Sequence, residues 1–338
     1  MKKIVDKYIP ALIEKVGVGI NPLLLNFRQE QRRLLVFYFH GLYQFRGQQE
    51  LNHVDPQNNF TVEAFAEFID YFLQHNYRFI QPEALLHGLS ADQPYAMITF
   101  DDGYFNNILA LDVLQQYEVP ATFYITSGNV QENQSYWWDI VYKYRKKQGQ
   151  SLEVIRQEQE QLKHFKTEYI CQYIRQTFGK EALKPWSDID RPFTVEELRK
   201  FAKNQWVHLG NHTATHAILT NCNRQEIQEE LLTCNQFLKD VAGKLPVSTA
   251  FPNGSFNDLV LDVARAAGFQ FALTTEARSN PLPAINQGFV RLDRFMAQPE
   301  NIQQYGRFCR MGYTPDAWYD NWKNKVKHLK IIKTTTTC

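Results

Sequence analysis

Short blocks of continuous apolar residues alternate with stretches in which apolar positions recur every three or four residues, and the alternation runs through most of the chain. Leu34-Leu35-Val36-Phe37-Tyr38-Phe39-His40 is an apolar run ended by Gly41, which predicts a buried parallel strand rather than a surface one. Residues 61–77 then place Phe65, Phe68, Ile69, Phe72 and Leu73 at helical spacing, with Thr61 available as N-cap. Further strands are predicted at 95–100, 121–125, 206–209, 248–251 and 271–274, and further helices at 107–117, 226–242 and 259–267. Regular alternation of this kind implies an α/β fold, a parallel sheet or a barrel of βα units.

A long polar stretch at 133–192 interrupts the rhythm; its segment 150–180 is rich in Gln, Glu, Lys and Arg and reads as an inserted pair of helices with a solvated face. The pattern divides the chain into an N-terminal helical extension (1–33), an α/β domain (34–298) carrying the insertion, and a helical, basic C-terminal tail (299–338) with a frayed end.

Charge narrows the partners. With 37 basic and 36 acidic side chains among 338 residues, no global field attracts nucleic acid or an anionic membrane, and a small neutral or weakly charged substrate fits better. Cys171, Cys222, Cys234, Cys309 and Cys338 are odd in number and irregularly spaced, and read as free thiols in a reducing compartment. The basic start Met1-Lys2-Lys3 is not followed by the continuous apolar core of a signal peptide, and no stretch approaches a transmembrane span. The expected location is the cytoplasm. Residues 9–25 are read as a short amphipathic helix that packs on its own domain, with peripheral contact to the inner face of a membrane as the alternative. Oligomeric state is not indicated.

Chemistry concentrates at two places. Asp101-Asp102-Gly103 directly follows the apolar run 95–100, where barrel and doubly wound folds place reactive groups. Two adjacent carboxylates cannot share one job, because ionising the second beside the first is costly. A cation removes the conflict if one Asp ligates it and the other stays free to take a proton. His212-Thr213-Ala214-Thr215-His216 supplies the other ligands; on a helical turn its two imidazoles would point to the same side. Two histidines and one carboxylate leave a position open for water, whose pKa Zn²⁺ lowers from 15.7 to about 7. The same donors also suit Co²⁺ or Ni²⁺.

Thr99-Phe100-Asp101-Asp102-Gly103-Tyr104, followed by His212-Thr213-Ala214-Thr215-His216, resembles the first two motifs of the polysaccharide deacetylases, the NodB-homology or carbohydrate esterase family 4 enzymes. Val119-Pro120-Ala121-Thr122-Phe123-Tyr124 and Tyr136-Trp137-Trp138-Asp139 fit the same pattern, and the resemblance covers roughly residues 34–298. It implies a distorted (β/α) barrel of seven or eight strands that removes acetyl groups from N-acetylated sugars with a divalent metal. Carried over, Asp102, His212 and His216 would hold the metal, Asp101 would be the general base, Thr213 would brace the ligand loop, and the Tyr104 amide would serve the oxyanion.

Two motifs depart from the family. Its third, Arg-x-Pro-Tyr/Phe, is matched only in part by Ala250-Phe251-Pro252-Asn253-Gly254, and the missing arginine leaves Arg291 and Arg294 as candidates to support Asp101. Its last, Leu-x-His, which supplies the general acid, has no counterpart after Gly254, where the only histidine is His328 in the tail. Tyr38-Phe39-His40 is an aromatic-x-His version at the other end, resembling the circularly permuted poly-N-acetylglucosamine deacetylases and making His40 the candidate acid. Tyr104, Trp137, Trp138 and Phe251 are candidates for a wall against which a sugar stacks. The implied function is de-N-acetylation of an N-acetylhexosamine in a polysaccharide or glycan precursor. An O-deacetylase, another C–N hydrolase or an inactive glycan-binding protein are the alternatives.

Overall fold

The computed structural model describes residues 33–57, 60–283 and 287–312. The predicted N-terminal helix, Cys338 and most of the C-terminal tail lie outside these residues. Eleven strands are present among them: β1 (Leu34–Phe39), β2 (Leu42–Tyr43), β3 (Phe60–Thr61), β4 (Arg78–Phe79), β5 (Tyr95–Phe100), β6 (Ala121–Ile125), β7 (Val207–Asn211), β8 (Ser248–Ala250), β9 (Phe271–Leu273), β10 (Val290–Leu292) and β11 (Phe295–Met296). Nine form one sheet in the order β10-β9-β8-β7-β6-β5-β1-β11, with β4 paired to β5, and every pairing is parallel.

The two ends of this sheet are successive pieces of one chain segment. β10 pairs with β9, and after Asp293 and Arg294 the same segment continues as β11 and pairs with β1. One broken strand thus bridges the first and last neighbours, and the sheet curls into a distorted (β/α) barrel. Strand alternation sorts the side chains. Leu34, Val36, Met97, Tyr124, Ala250, Phe271, Leu273 and Leu292 pack together inside, while Leu35, Phe37, Phe39, Ile98, Phe100 and Phe123 face the surrounding helices.

Local chemistry explains the helix that follows β3. The Thr61 hydroxyl accepts from the Ala64 amide at 3.2 Å, capping helix Val62–Gln74, whose Phe65, Phe68, Ile69 and Phe72 pack on β1 and β5. Gly210 has a different reason. A Cβ there would lie 2.3 Å from the Tyr124 ring, which crosses the barrel interior and exchanges a 2.9 Å hydrogen bond with Ser248.

The insertion holds three helices, Trp137–Lys147, Leu152–Leu162 and Thr167–Phe178, rather than the predicted pair, followed by a short 3₁₀ turn at Lys180–Leu183. Its own small core includes Ile140, Val141, Ile155, Leu162, Ile170 and Ile174. Lys143 and Asp190 Oδ2, both fully buried and 2.6 Å apart, fasten its two ends, and the backbone amides of Trp186 and Ser187 donate to the remaining oxygen, Asp190 Oδ1. Among the described residues no helix is long and apolar enough to cross a membrane, and Cys171, Cys222, Cys234 and Cys309 are free.

Candidate active site

The site lies at the carboxyl ends of the strands, where β5 and β7 release their loops. Thr99 and Asp101 share the inward parity of β5, and the Asp101 amide extends the pairing by donating to the Phe39 carbonyl of β1 at 2.8 Å. Its carboxylate is gripped by Arg294, with Nη1 to Oδ1 at 2.7 Å and Nη2 to Oδ2 at 2.8 Å. Arg294 is wholly buried and also donates to the Thr274 carbonyl (2.8 Å) and the Thr99 hydroxyl (3.1 Å). Burial would raise the Asp101 carboxyl, but the Arg294 charge, followed by that of His212, holds it below the usual carboxylate range.

Asp102 takes the opposite direction. Its φ of +75° is left-handed, and Gly103 follows at +89°. A non-glycine residue in that region costs on the order of 1–3 kcal/mol, and such strain concentrates at functional sites. Here it sends two adjacent carboxylates to different partners. The Asp102 carbonyl is held by the Thr126 amide (3.1 Å) and the Tyr136 hydroxyl (2.9 Å), and its Oδ1 lies 3.3 Å from Nε2 of both His212 and His216. Burial opposes ionisation of Asp102, yet the contacts with His212 and His216 hold it far below the ordinary range.

The two histidines do not sit on a helical turn. They belong to an irregular loop after β7 in which Thr213 (φ +65°) and His216 (φ +55°) are both left-handed. Side-chain hydrogen bonds replace the helical ones: the Thr213 amide donates to Asn211 Oδ1 (2.9 Å), and the Ala217 amide donates to the Thr213 hydroxyl (3.2 Å). Thr213 therefore ties the loop between the histidines. His212 Nδ1 lies 2.8 Å from the Ala250 carbonyl, which can only accept, so in the neutral ring Nε2 carries the lone pair toward Asp102. Burial pushes His216 below the ordinary histidine range, whereas the charges of Asp101 and Asp102 outweigh burial at His212 and raise it.

This set passes a test of fit for a divalent ion. The ligand atoms of Asp102, His212 and His216 lie within 4.8 Å of one another and all three residues are buried. Asp102 Oδ2 is buried with no hydrogen-bond partner, an arrangement that is costly unless something else occupies it. The donors, two imidazoles and a carboxylate, are those of open metal sites.

Tyr38, His40, Asp101, Asp102, His212 and His216 line one pocket of about 460 Å³. His40 follows β1 with the inward parity of Tyr38, and its carbonyl accepts from Asn107 Nδ2 at 2.6 Å. The two candidate arginines part company. Arg291 alternates outward between the inward-facing Val290 and Leu292, meets Asp293 (3.4 Å) and Glu276 (3.7 Å), and lies over the Phe256 ring, away from Asp101. Arg294 keeps the parity of Leu292, a signal already present in the sequence.

The aromatic wall is narrower than the sequence suggested. The Tyr104 side chain is buried, its hydroxyl donating to Asp139 Oδ2 (2.7 Å) and accepting from Trp138 Nε1 (2.9 Å), and Phe251 is core between barrel and helices. Trp138 packs on the His216 ring at 4.4 Å, and half-buried Trp137 completes the aromatic lining. The insertion also supplies Arg156, Gln159, Glu160 and Lys163 to the pocket. Their approach has one local signal. Gln159 lies between Ile155 and Leu162 on the buried face of helix Leu152–Leu162, a polar residue where an amphipathic helix places apolar ones.

Comparison with known proteins agrees with this architecture. No curated protein matches the sequence. The deacetylase PplD of Streptococcus pyogenes, solved in complex with acetate, superposes with a TM-score of 0.54 at 15% identity, covering 80% of this chain and 97% of its own. IcaB from Ammonifex degensii gives 0.54 at 16% identity, covering 82% and 97%. BC0361, a polysaccharide deacetylase from Bacillus cereus, gives 0.54 at 17% identity, covering 81% and 68%. At these identities the likeness is one of fold. A family model described as polysaccharide deacetylase matches residues 89–272, more than half of the sequence, and the chain belongs to the polysaccharide deacetylase family.

Proposed function

We propose that the protein is a metal-dependent de-N-acetylase that hydrolyses the acetamido group of an N-acetylhexosamine in a polysaccharide or glycan precursor and releases acetate. The carrying observation is the division of labour between adjacent carboxylates, with Asp101 bound to a buried arginine and Asp102 turned to two histidines. Asp102, His212 and His216 would hold the ion, Zn²⁺ by its donor set, with Co²⁺ or Ni²⁺ as alternatives. When bound, a divalent ion acts as a Lewis acid toward the acyl oxygen and makes a water a competent nucleophile at neutral pH.

The chain's own residues do the rest. Asp101, kept ionised and oriented by Arg294, takes the proton of the attacking water as the oxygen adds to the acyl carbon. The Tyr104 amide donates to the oxygen that gains negative charge. His40 gives its proton to the nitrogen as the C–N bond breaks, so the sugar leaves as an amine. Thr213 keeps His212 and His216 in register through its bond to Ala217.

Release of acetate from paired N- and O-acetylated sugars, with and without a chelator, tests the reading. Wild type should act on the N-acetylated member and lose activity with chelator, while Asp101→Asn binds metal normally and is inactive. His40→Ala should keep its metal and lose about 10²- to 10⁴-fold in turnover. Persistent activity in Asp101→Asn removes that residue as base, and acetate from the O-acetylated member alone makes the protein an O-deacetylase.

A further inference from the structure

Residues 34, 36, 38 and 40 share the inward parity of β1. Leu34 and Val36 are apolar side chains of the barrel interior, whereas Tyr38 reaches the pocket beside His40, Asp101 and Met296. The proposed chemistry needs Asp101 and His40 in a fixed relation, because one takes a proton and the other gives one at the same reacting group. Asp101 is fixed by its two bonds to Arg294. For His40, Asn107 Nδ2 holds the backbone carbonyl at 2.6 Å, and the imidazole is then placed by rotation about two side-chain bonds.

Arg294 supplies an anchor for that rotation. Its hydrogen bonds to Thr274, Thr99 and Asp101 run along the edge of the planar guanidinium, where the N–H groups lie. The faces meet aromatic rings, with Cζ 4.8 Å from the centroid of Tyr38 and 5.8 Å from that of Tyr124. Such contacts strengthen where water is excluded, and Arg294 is wholly buried. Tyr124 bonds Ser248 inside the barrel and does not line the pocket. Tyr38 continues to the second group: its ring meets that of His40 edge to face, with centroids 5.7 Å apart and planes at 81°. Placed there, His40 is near enough to both Asp101 and Asp102 for its charge to favour their ionised forms.

We propose that Tyr38 is a positioning residue whose ring, seated over the Arg294 guanidinium, sets the His40 imidazole in relation to Asp101. The assignment rests on the deacetylase reading for the roles of Asp101 and His40. It gives the effect to the ring rather than to the hydroxyl, and to the acid rather than to the metal ligands.

Two variants separate these elements. Tyr38→Phe keeps the ring, and Tyr38→Leu replaces it with a side chain that the same face of β1 already holds at position 34. Tyr38→Met stands in if the leucine variant does not fold. On the β-1,4-linked dimer of N-acetylglucosamine, Tyr38→Leu should lower kcat by about 10- to 100-fold with KM unchanged, while Tyr38→Phe stays near wild type in both. Both variants should keep the rise in Tm that Zn²⁺ gives wild type. In crystal structures the His40 ring should be displaced or divided between conformers in Tyr38→Leu, and superpose on wild type in Tyr38→Phe. Four results overturn the proposal: an equal loss in Tyr38→Phe, which moves the role to the hydroxyl; a raised KM at unchanged kcat, which makes Tyr38 a substrate contact; a lost Zn²⁺ response, which moves the effect to the metal ligands; and an undisturbed His40 in Tyr38→Leu. If wild type releases no acetate, the deacetylase reading fails, and the His40 conformers alone decide whether Tyr38 holds that ring.

Discussion

Arg294 and Asp101 show how much a single buried pair can govern. Two parallel N–H···O bonds of 2.7 and 2.8 Å between side chains that are 0% and 5% exposed leave neither charge in contact with bulk water. Removing one partner strands the other, a change that costs about 3–5 kcal/mol in buried pairs. Arg294→Met is therefore expected to lower the urea-unfolding free energy by that amount. Arg291→Met, which breaks only partly exposed contacts with Asp293 and Glu276, should change it by less than about 1 kcal/mol. Equal effects in the two variants would contradict the inward and outward assignments. Both arginines are visible in the sequence as substitutes for a missing motif residue. What separates them is alternation: Leu292 belongs to the apolar interior, so position 294 points inward and position 291 outward.

At the scale of elements, sequence and structure agree where the determinants are local. β5 and β6 fall on the predicted runs 95–100 and 121–125, because apolar blocks bounded by turn residues carry their own limits. The loop at 212–216 departs from the helical reading because Asn211 and Thr213 satisfy backbone amides that a helix would otherwise bond. The insertion's role in the pocket depends on contacts between distant segments, and only Gln159 carries a local trace of it. Its exit into helix Val195–Phe201 is locally encoded again. Thr194 and Glu197 form a capping box, and Arg191 grips Glu197 with Nη1 to Oε2 at 2.7 Å and Nη2 to Oε1 at 3.0 Å. The hydrogen bond from Arg191 is the main cause that holds the Glu197 carboxyl at about 2, against 4.5 for an ordinary Glu. A depressed folded value means that the stabilisation is fully present above pH 4.5 and fades as pH falls toward 2. After allowance for solvent screening it amounts to about 1 kcal/mol. Glu197→Gln should thus lower the Tm by roughly 2 °C at pH 7. The gap between variant and wild type should close as thermal scans move from pH 4.5 toward 2, and a gap that widens on acidification would reverse the sign assigned to Glu197.

The molecule as a whole places its reactive groups on separately released loops of one curled sheet. Asp102 follows β5, His212 and His216 follow β7, and β6 stands between those strands. An ion shared by the three would cross-link the two loops over β6. It has no comparable site in the unfolded chain, where Asp102 is more than a hundred residues from the two histidines in sequence. Binding to the folded state alone stabilises by about 2.7 kcal/mol at a free metal concentration of 100 Kd. For a chain of this size that corresponds to a rise of roughly 4–5 °C in Tm. Zn²⁺ added to chelator-treated wild type should produce this rise, and Co²⁺ or Ni²⁺ should produce a rise that follows their affinities. His216→Ala should abolish it by removing a ligand, whereas Asp101→Asn should retain it, since Asp101 is paired with Arg294 and not with the histidines. A stabilisation that disappears in Asp101→Asn would mean that both carboxylates serve the ion, and the separation of base from ligand would have to be abandoned.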